Sequence, residues 1–159
     1  MPADEFGDES RVDIAASPDA VWAVVSDPTR TPEWSPVCLR VEWVPPSDGP
    51  APGARFRGHN QLRGARWSRD CEIDEWEPGR TIAFHTLFKD KVSTRGRYAL
   101  EPAPGGGTRL TATCRAEFLP TWVWLMRKLP GAARTSARDT ARNISTSLER
   151  IKQLAERDG

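Results

Sequence analysis

The sequence is poor in the side chains that most often carry catalysis: it holds two histidines, one tyrosine and two methionines among 159 residues. Its three cysteines, Cys38, Cys71 and Cys114, are odd in number and have no paired spacing. No Cys/His cluster has zinc-ligand spacing, and two histidines with scattered acids suggest no other metal centre. We therefore expect no metal and no cofactor. A G-x-S-x-G elbow is missing. The glycines at 105–107 precede Thr108-Arg109 rather than Lys-Ser, so they mark a turn and not a phosphate loop. No run approaches the roughly 18 apolar residues of a membrane span, and the acidic N-terminus lacks the apolar core of a secretory signal. Free thiols without a signal predict a reducing, cytoplasmic setting. An excess of one charge is missing too. Lys and Arg number 23 against 22 Asp and Glu, a net +1 that creates no field for nucleic acid.

Seven tryptophans are present, large flat groups suited to a core or a cavity wall. Charge is uneven along the chain. Asp4, Glu5, Asp8 and Glu9 make residues 1–9 an acidic tail that we expect to be disordered, and the last forty residues are basic. One domain over 10–157 is expected to follow.

Alternation from Ser10 through Val12 to Ile14 predicts a first strand. Ser17-Pro18 then reads as a helix start, with a capping hydroxyl and a proline at the first helical position. Asp27-Pro28 ends that helix and begins a second short turn reaching Trp34. Further strands follow, separated by turn signals. Val37, Leu39, Val41 and Trp43 share one parity. Phe56, Gly58 and Asn60 share another, as do Trp67, Arg69, Cys71 and Ile73 after a turn near Gly64. Phe84 and Thr86, then Thr94, Gly96 and Tyr98, and finally Leu110, Ala112 and Cys114 continue the pattern. After Gly131 the chain turns helical, with Ala137, Ala141, Ile144, Leu148, Ile151 and Ala155 forming one stripe. The expected class is α+β: a curved antiparallel sheet of six to seven strands wrapped around a long C-terminal helix, with two short helices after strand 1. The small helix residues cannot fill a strongly curved sheet, so a cavity is the expected remainder.

Several segments together resemble the START-like (SRPBCC) helix-grip superfamily, in particular its polyketide cyclase/dehydrase and lipid-transport type, common in actinobacteria. They are Val12-Asp13-Ile14 with Ser17 to Trp22, Pro32-Glu33-Trp34-Ser35-Pro36, Gly53 to Gly58, Glu77-Pro78-Gly79-Arg80, Gly106 to Leu110, and Ser147 to Lys152. The likeness covers residues 10–157. It implies binding of sterols, lipids, polyketides or aromatic metabolites in the cavity, and in some members cyclisation or dehydration there. The chain departs from the plant-allergen branch, because no glycine-rich loop joins its second and third strands.

If the apolar parity faces inward, the ligand-binding candidates from the first half of the chain are Trp34, Phe56, Gly58, Asn60, Trp67 and Arg69. From the second half they are Cys71, Phe84, Tyr98, Cys114 and Trp122. Any single aromatic among them also fits plain core packing. A hairpin turning at residues 63–64 puts Arg69 opposite Gly58 and beside Asn60. A buried guanidinium needs a partner, so Arg69 and Asn60 either orient an anionic or carbonyl-bearing ligand end, or Arg69 snorkels at the sheet rim. His59 and His85 fall on the polar parity. Tyr98 is then the one inward candidate for an acid or hydrogen-bond donor, set against a core tyrosine with a satisfied hydroxyl. The stretch with Trp122, Trp124, Leu125, Met126 and Leu129 is open to two readings: a cavity lid, or a membrane- or partner-touching patch flanked by Arg127 and Lys128.

Three functions compete. One is a binding protein for a small hydrophobic metabolite, as monomer or homodimer. The second is a polyketide cyclase, aromatase or dehydratase using the same cavity. The third is a dimeric interaction module with no ligand. The missing inward histidine or acid favours binding.

Overall fold

The computed structural model describes residues 7–118, 121, 122, 125, 128 and 132–159, and for residues 7, 8 and 132–137 the backbone only. Seven strands form one antiparallel sheet: β1 (Gly7–Ile14), β2 (Cys38–Trp43), β3 (Arg55–Leu62), β4 (Ala65–Glu77), β5 (Thr81–Phe88), β6 (Lys91–Pro102) and β7 (Thr108–Ala116). Their order is β1-β7-β6-β5-β4-β3-β2, a meander whose last strand returns to pair with the first. Helices with both ends among the described residues are α1 (Pro18–Val25), α2 (Thr31–Trp34), with a 3-10 turn (Pro28–Arg30) between them, and the long α3 (Ala132–Asp158); Thr121, Trp122 and Leu125 are helical as well. The sheet therefore begins at Gly7, earlier than the alternation from Ser10 marks.

Local chemistry sets the boundaries. Ser17 caps α1, its Oγ accepting from the Ala20 amide at 3.2 Å, and Pro18 occupies the first turn. Asp27 caps the next turn in the same way through Thr29. Arg63-Gly64 and Lys89-Asp90 close the β3–β4 and β5–β6 hairpins, and all four have positive φ, as the tight primed hairpin turn requires.

Two expectations about which way side chains point are corrected. Leu39 does not share the inward parity of Val41 and Trp43: it is 55% exposed, because a bulge between Cys38 and Arg40 turns Cys38 inward instead. Ala141 is exposed rather than part of the buried stripe of α3, whose inward positions are Ile144, Ser147, Leu148, Ile151 and Ala155. The side chain of Ala137 lies outside the described residues.

The core has two parts. One joins α1 and α3 to β1 and β7 through Ile14, Val21, Leu110, Leu148 and Ile151. The other lies across β3, β4 and β5, with Phe56, Cys71, Ile73 and Ile82 at its centre. Each large side chain so buried contributes about 1.5–3 kcal/mol. Trp22 and Tyr98 pack against both parts. The outer face carries cross-strand ion pairs such as Arg55–Glu72, Arg57–Asp70 and Arg109–Asp13. These partners hold Asp70 and Asp13 below the usual carboxylate range.

Candidate functional site: a cavity between sheet and helix

Between the two core clusters the sheet and α3 flank a partly open cavity of about 510 Å³. Ten of the eleven residues expected to meet a ligand line it: Trp34, Phe56, Gly58, Asn60, Trp67, Arg69, Cys71, Phe84, Tyr98 and Cys114. Trp122 is the correction. It is 63% exposed and is absent from the described lining. The reason is physical: Trp122 lies between β7 and α3, where no sheet pleat fixes the direction of a side chain. Leu125 is likewise exposed, while Leu119, Trp124, Met126, Arg127 and Leu129 fall outside the described residues.

The hairpin register is the one the turn dictates. Gly58 pairs with Arg69 and Asn60 with Trp67, so the β3–β4 hairpin brings one glycine, one amide and one guanidinium to the same inner surface. A methyl group at Gly58 would find only Asn60 Nδ2 at 3.8 Å, so open space lies above that backbone. The aromatic wall is made of edge-on rings. Trp34 meets Tyr98 at 5.8 Å, and Phe84 meets Phe56 at 6.0 Å between centroids.

The polar groups are few. Tyr98 makes no hydrogen bond with the described residues, and burial raises its phenol well above the ordinary range, so it is a neutral donor at physiological pH. The Asn60 amide is equally unpartnered there. Cys71 lies 3.5 Å from Thr86 Oγ1, and burial pushes its thiol up to about 11. Burial also raises Cys38. All three thiols line the cavity and none is in a disulfide. No Asp, Glu or His stands among the described lining residues. His59 bridges Glu42 and Ser68 at 2.8 Å each, and His85 meets Asp74 at 2.8 Å, both on the outer face and half-covered by these partners.

Sequence reasoning missed the contribution of α3. Thr140, Asn143 and Ser147 line the cavity beside Ile144. Their spacing of three and four is itself a helical stripe, legible had polar residues been counted with apolar ones. Thr86 and Thr94 belong to the same polar strip on the sheet side.

A curved antiparallel sheet gripping one long helix around a lined cavity defines the helix-grip, START-like class of ligand-binding domains. Within that class, the chain belongs to the family described as polyketide cyclase/dehydrase and lipid transport, whose profile matches residues 9–156. An uncharacterized protein of Mycobacterium tuberculosis is 31% identical over 129 residues, which is 77% of this chain and 66% of that protein. The chain thus spans somewhat under two thirds of the length of the curated relatives it matches.

Among solved structures, the di-domain aromatase/cyclase StfQ of the steffimycin biosynthetic pathway superposes with a TM-score of 0.75 at 19% identity, over 96% of this chain and 51% of that one. The aromatase/cyclase ZhuI from Streptomyces sp. R1128 gives 0.71 at 21%, over 95% and 93%. A polyketide-cyclase-like protein of Corynebacterium glutamicum gives 0.62 at 28%, over 96% and 93%. The first two share the fold with this chain. Among the described residues no helix is long and apolar enough to cross a membrane.

Proposed function

We propose that this domain binds one small, mostly apolar molecule with a polar end in the cavity between sheet and α3. The observation that carries the reading is the cavity itself. Its volume of about 510 Å³ falls in the roughly 300–1,000 Å³ range of small-molecule sites. Its walls are aromatic and aliphatic, and its unpartnered Asn60 and Tyr98 groups gain hydrogen bonds only when something enters. Asn60 and Arg69 orient the polar end of that molecule. A lipid, a polyketide or an aromatic metabolite meets these requirements.

Family membership favours a second reading, cyclisation or dehydration of a polyketide-like chain. The lining supplies no carboxylate or imidazole for proton transfer among its described residues, so catalysis would rest on shape, on Tyr98 as donor and on held geometry. Binding without turnover asks less of these residues and is the reading we prefer.

The three thiols test it without any mutation. The neutral apolar fluorophore 1-N-phenylnaphthylamine should bind once per chain, brighten, and slow the reaction of Cys38, Cys71 and Cys114 with methyl methanethiosulfonate. Absence of binding, or binding that leaves thiol reactivity unchanged, overturns the assignment.

A further inference from the structure

At the end of the cavity marked by the β3–β4 and β5–β6 turns, the surface changes character. A second depression, of about 420 Å³, opens mainly on the outer face of the sheet beside the β5–β6 turn, and Arg69, at the sheet rim, borders both it and the cavity. Arg55, Arg57, Arg69 and Lys89 face Asp70 and Asp90 across it. Two of these cations are already neutralised: Arg55 by Glu72 at 2.9 Å and Arg57 by Asp70 at 2.6 Å. The other two are not. Arg69 donates to the Ser68 carbonyl and sits 4.9 Å from the centre of the Phe88 ring. Lys89 stands 5.8 Å from the centre of the same ring. Neither has a carboxylate within ion-pair distance among the described residues, and Asp90 is exposed and unpaired at the rim.

Two like charges gathered on one aromatic ring repel each other, and a ring quadrupole offsets this only in part. An anion between them removes the repulsion and gains charge-assisted hydrogen bonds. The turn also bears on how the site can be tested. The φ of 48° at Lys89 is left-handed, a conformation that glycine or asparagine adopts with less strain in this turn.

We propose that Arg69 and Lys89, stacked on Phe88, form an anion subsite at the end of the cavity, so that the ligand is an amphiphile whose apolar body fills the cavity and whose carboxylate or phosphate is held there. The inference rests on the cavity being a ligand site and assigns the chemistry of its polar end.

Isothermal titration with decanol, decanoate and decyl phosphate, which share one apolar chain, separates the two claims. The anions should bind the wild-type protein about tenfold more tightly than the alcohol, the worth of one good charged contact, and salt should erode that preference. In Arg69→Gln, and separately in Lys89→Gly, the ratio of anion to alcohol affinity should fall to within about threefold. Lys89→Gly keeps the inference testable should Arg69→Gln fail to fold, because glycine suits the turn. Millimolar inorganic phosphate should leave decyl phosphate bound. Its displacement would mean a free-ion site unrelated to the cavity and would sink the inference. Equal binding of alcohol and anions, or a preference surviving both substitutions, overturns the subsite while leaving the cavity reading intact. Failure of all three amphiphiles overturns both.

Discussion

Gly58 and Gly96 are both strand glycines on the inner face, yet an added methyl group meets different surroundings. At Gly96 it would come within 2.8 Å of Phe84 Cζ, because the Phe84 ring lies across its cross-strand partner. The ring is packed against Phe56 and has little room to move. Gly96→Ala should therefore cost about 1–3 kcal/mol, as overpacking does. Gly58→Ala has open space above it and removes glycine's excess freedom in the unfolded chain, so it should be neutral or gain up to about 1 kcal/mol. Urea unfolding of the two variants checks the contrast, and equal stabilities would refute the ring-over-glycine account. At this scale the sequence was a good guide wherever a turn pinned the register. Arg63-Gly64 fixes β3 against β4, so the meeting of Gly58, Arg69 and Asn60 could be read from the chain alone. It was a poor guide at Leu39, because nothing in the composition of β2 announces the bulge that turns Leu39 outward and Cys38 inward. At Trp122, which is helical and 63% exposed, the sequence left a cavity lid and an outward-facing patch open, and no periodicity in so short a segment decides between them.

Elements were legible where their periodicity was strong. The order of strands and helices follows from alternation, capping and turn chemistry, and α3 begins where Gly131 predicts. What the pattern concealed is that α3 presents two stripes to the interior. Leu148, Ile151 and Ala155 fill the core beneath α1, while Thr140, Asn143 and Ser147 face the cavity nearer its N-terminal end. An apolar moment finds the first stripe and is blind to the second. The N-terminal half of α3 is also tied to the β3–β4 hairpin by Arg63 Nη2 and Asp139 Oδ1 at 3.0 Å, an ion pair that links this turn to the helix. Arg63 is largely exposed, so the pair is worth under about 1 kcal/mol of global stability. Its consequence is local. Arg63→Gln should leave the urea midpoint almost unmoved but speed amide hydrogen exchange around residues 60–66, since the hairpin loses its anchor to the helix. Unchanged exchange in that hairpin would mean that the sheet alone holds it.

For the whole molecule, the cavity divides the core, and Tyr98, like Trp22, touches both halves. Charging it would place an anion in a buried site away from water, which is why its phenol is held well above the ordinary value of 10.0. The consequence for stability has a definite sign. In the unfolded chain Tyr98 loses its proton near pH 10, whereas in the folded chain it keeps it. Above that pH the folded state therefore binds more protons, and stability falls as pH rises. Cys71 acts in the same direction from a lower starting point, because its thiol moves from an ordinary 9.0 up to about 11. Stability should thus be intact below about pH 9, decline first through Cys71 and then more steeply through Tyr98. Tyr98 is the only tyrosine, so phenolate absorbance reports on it alone. We expect that absorbance to appear together with loss of folded structure, and Tyr98→Phe to shift alkaline unfolding to higher pH. If phenolate instead formed near pH 10 in a protein that stayed folded, Tyr98 would have to be in contact with solvent, and the buried position assigned to it between the two halves of the core would be wrong.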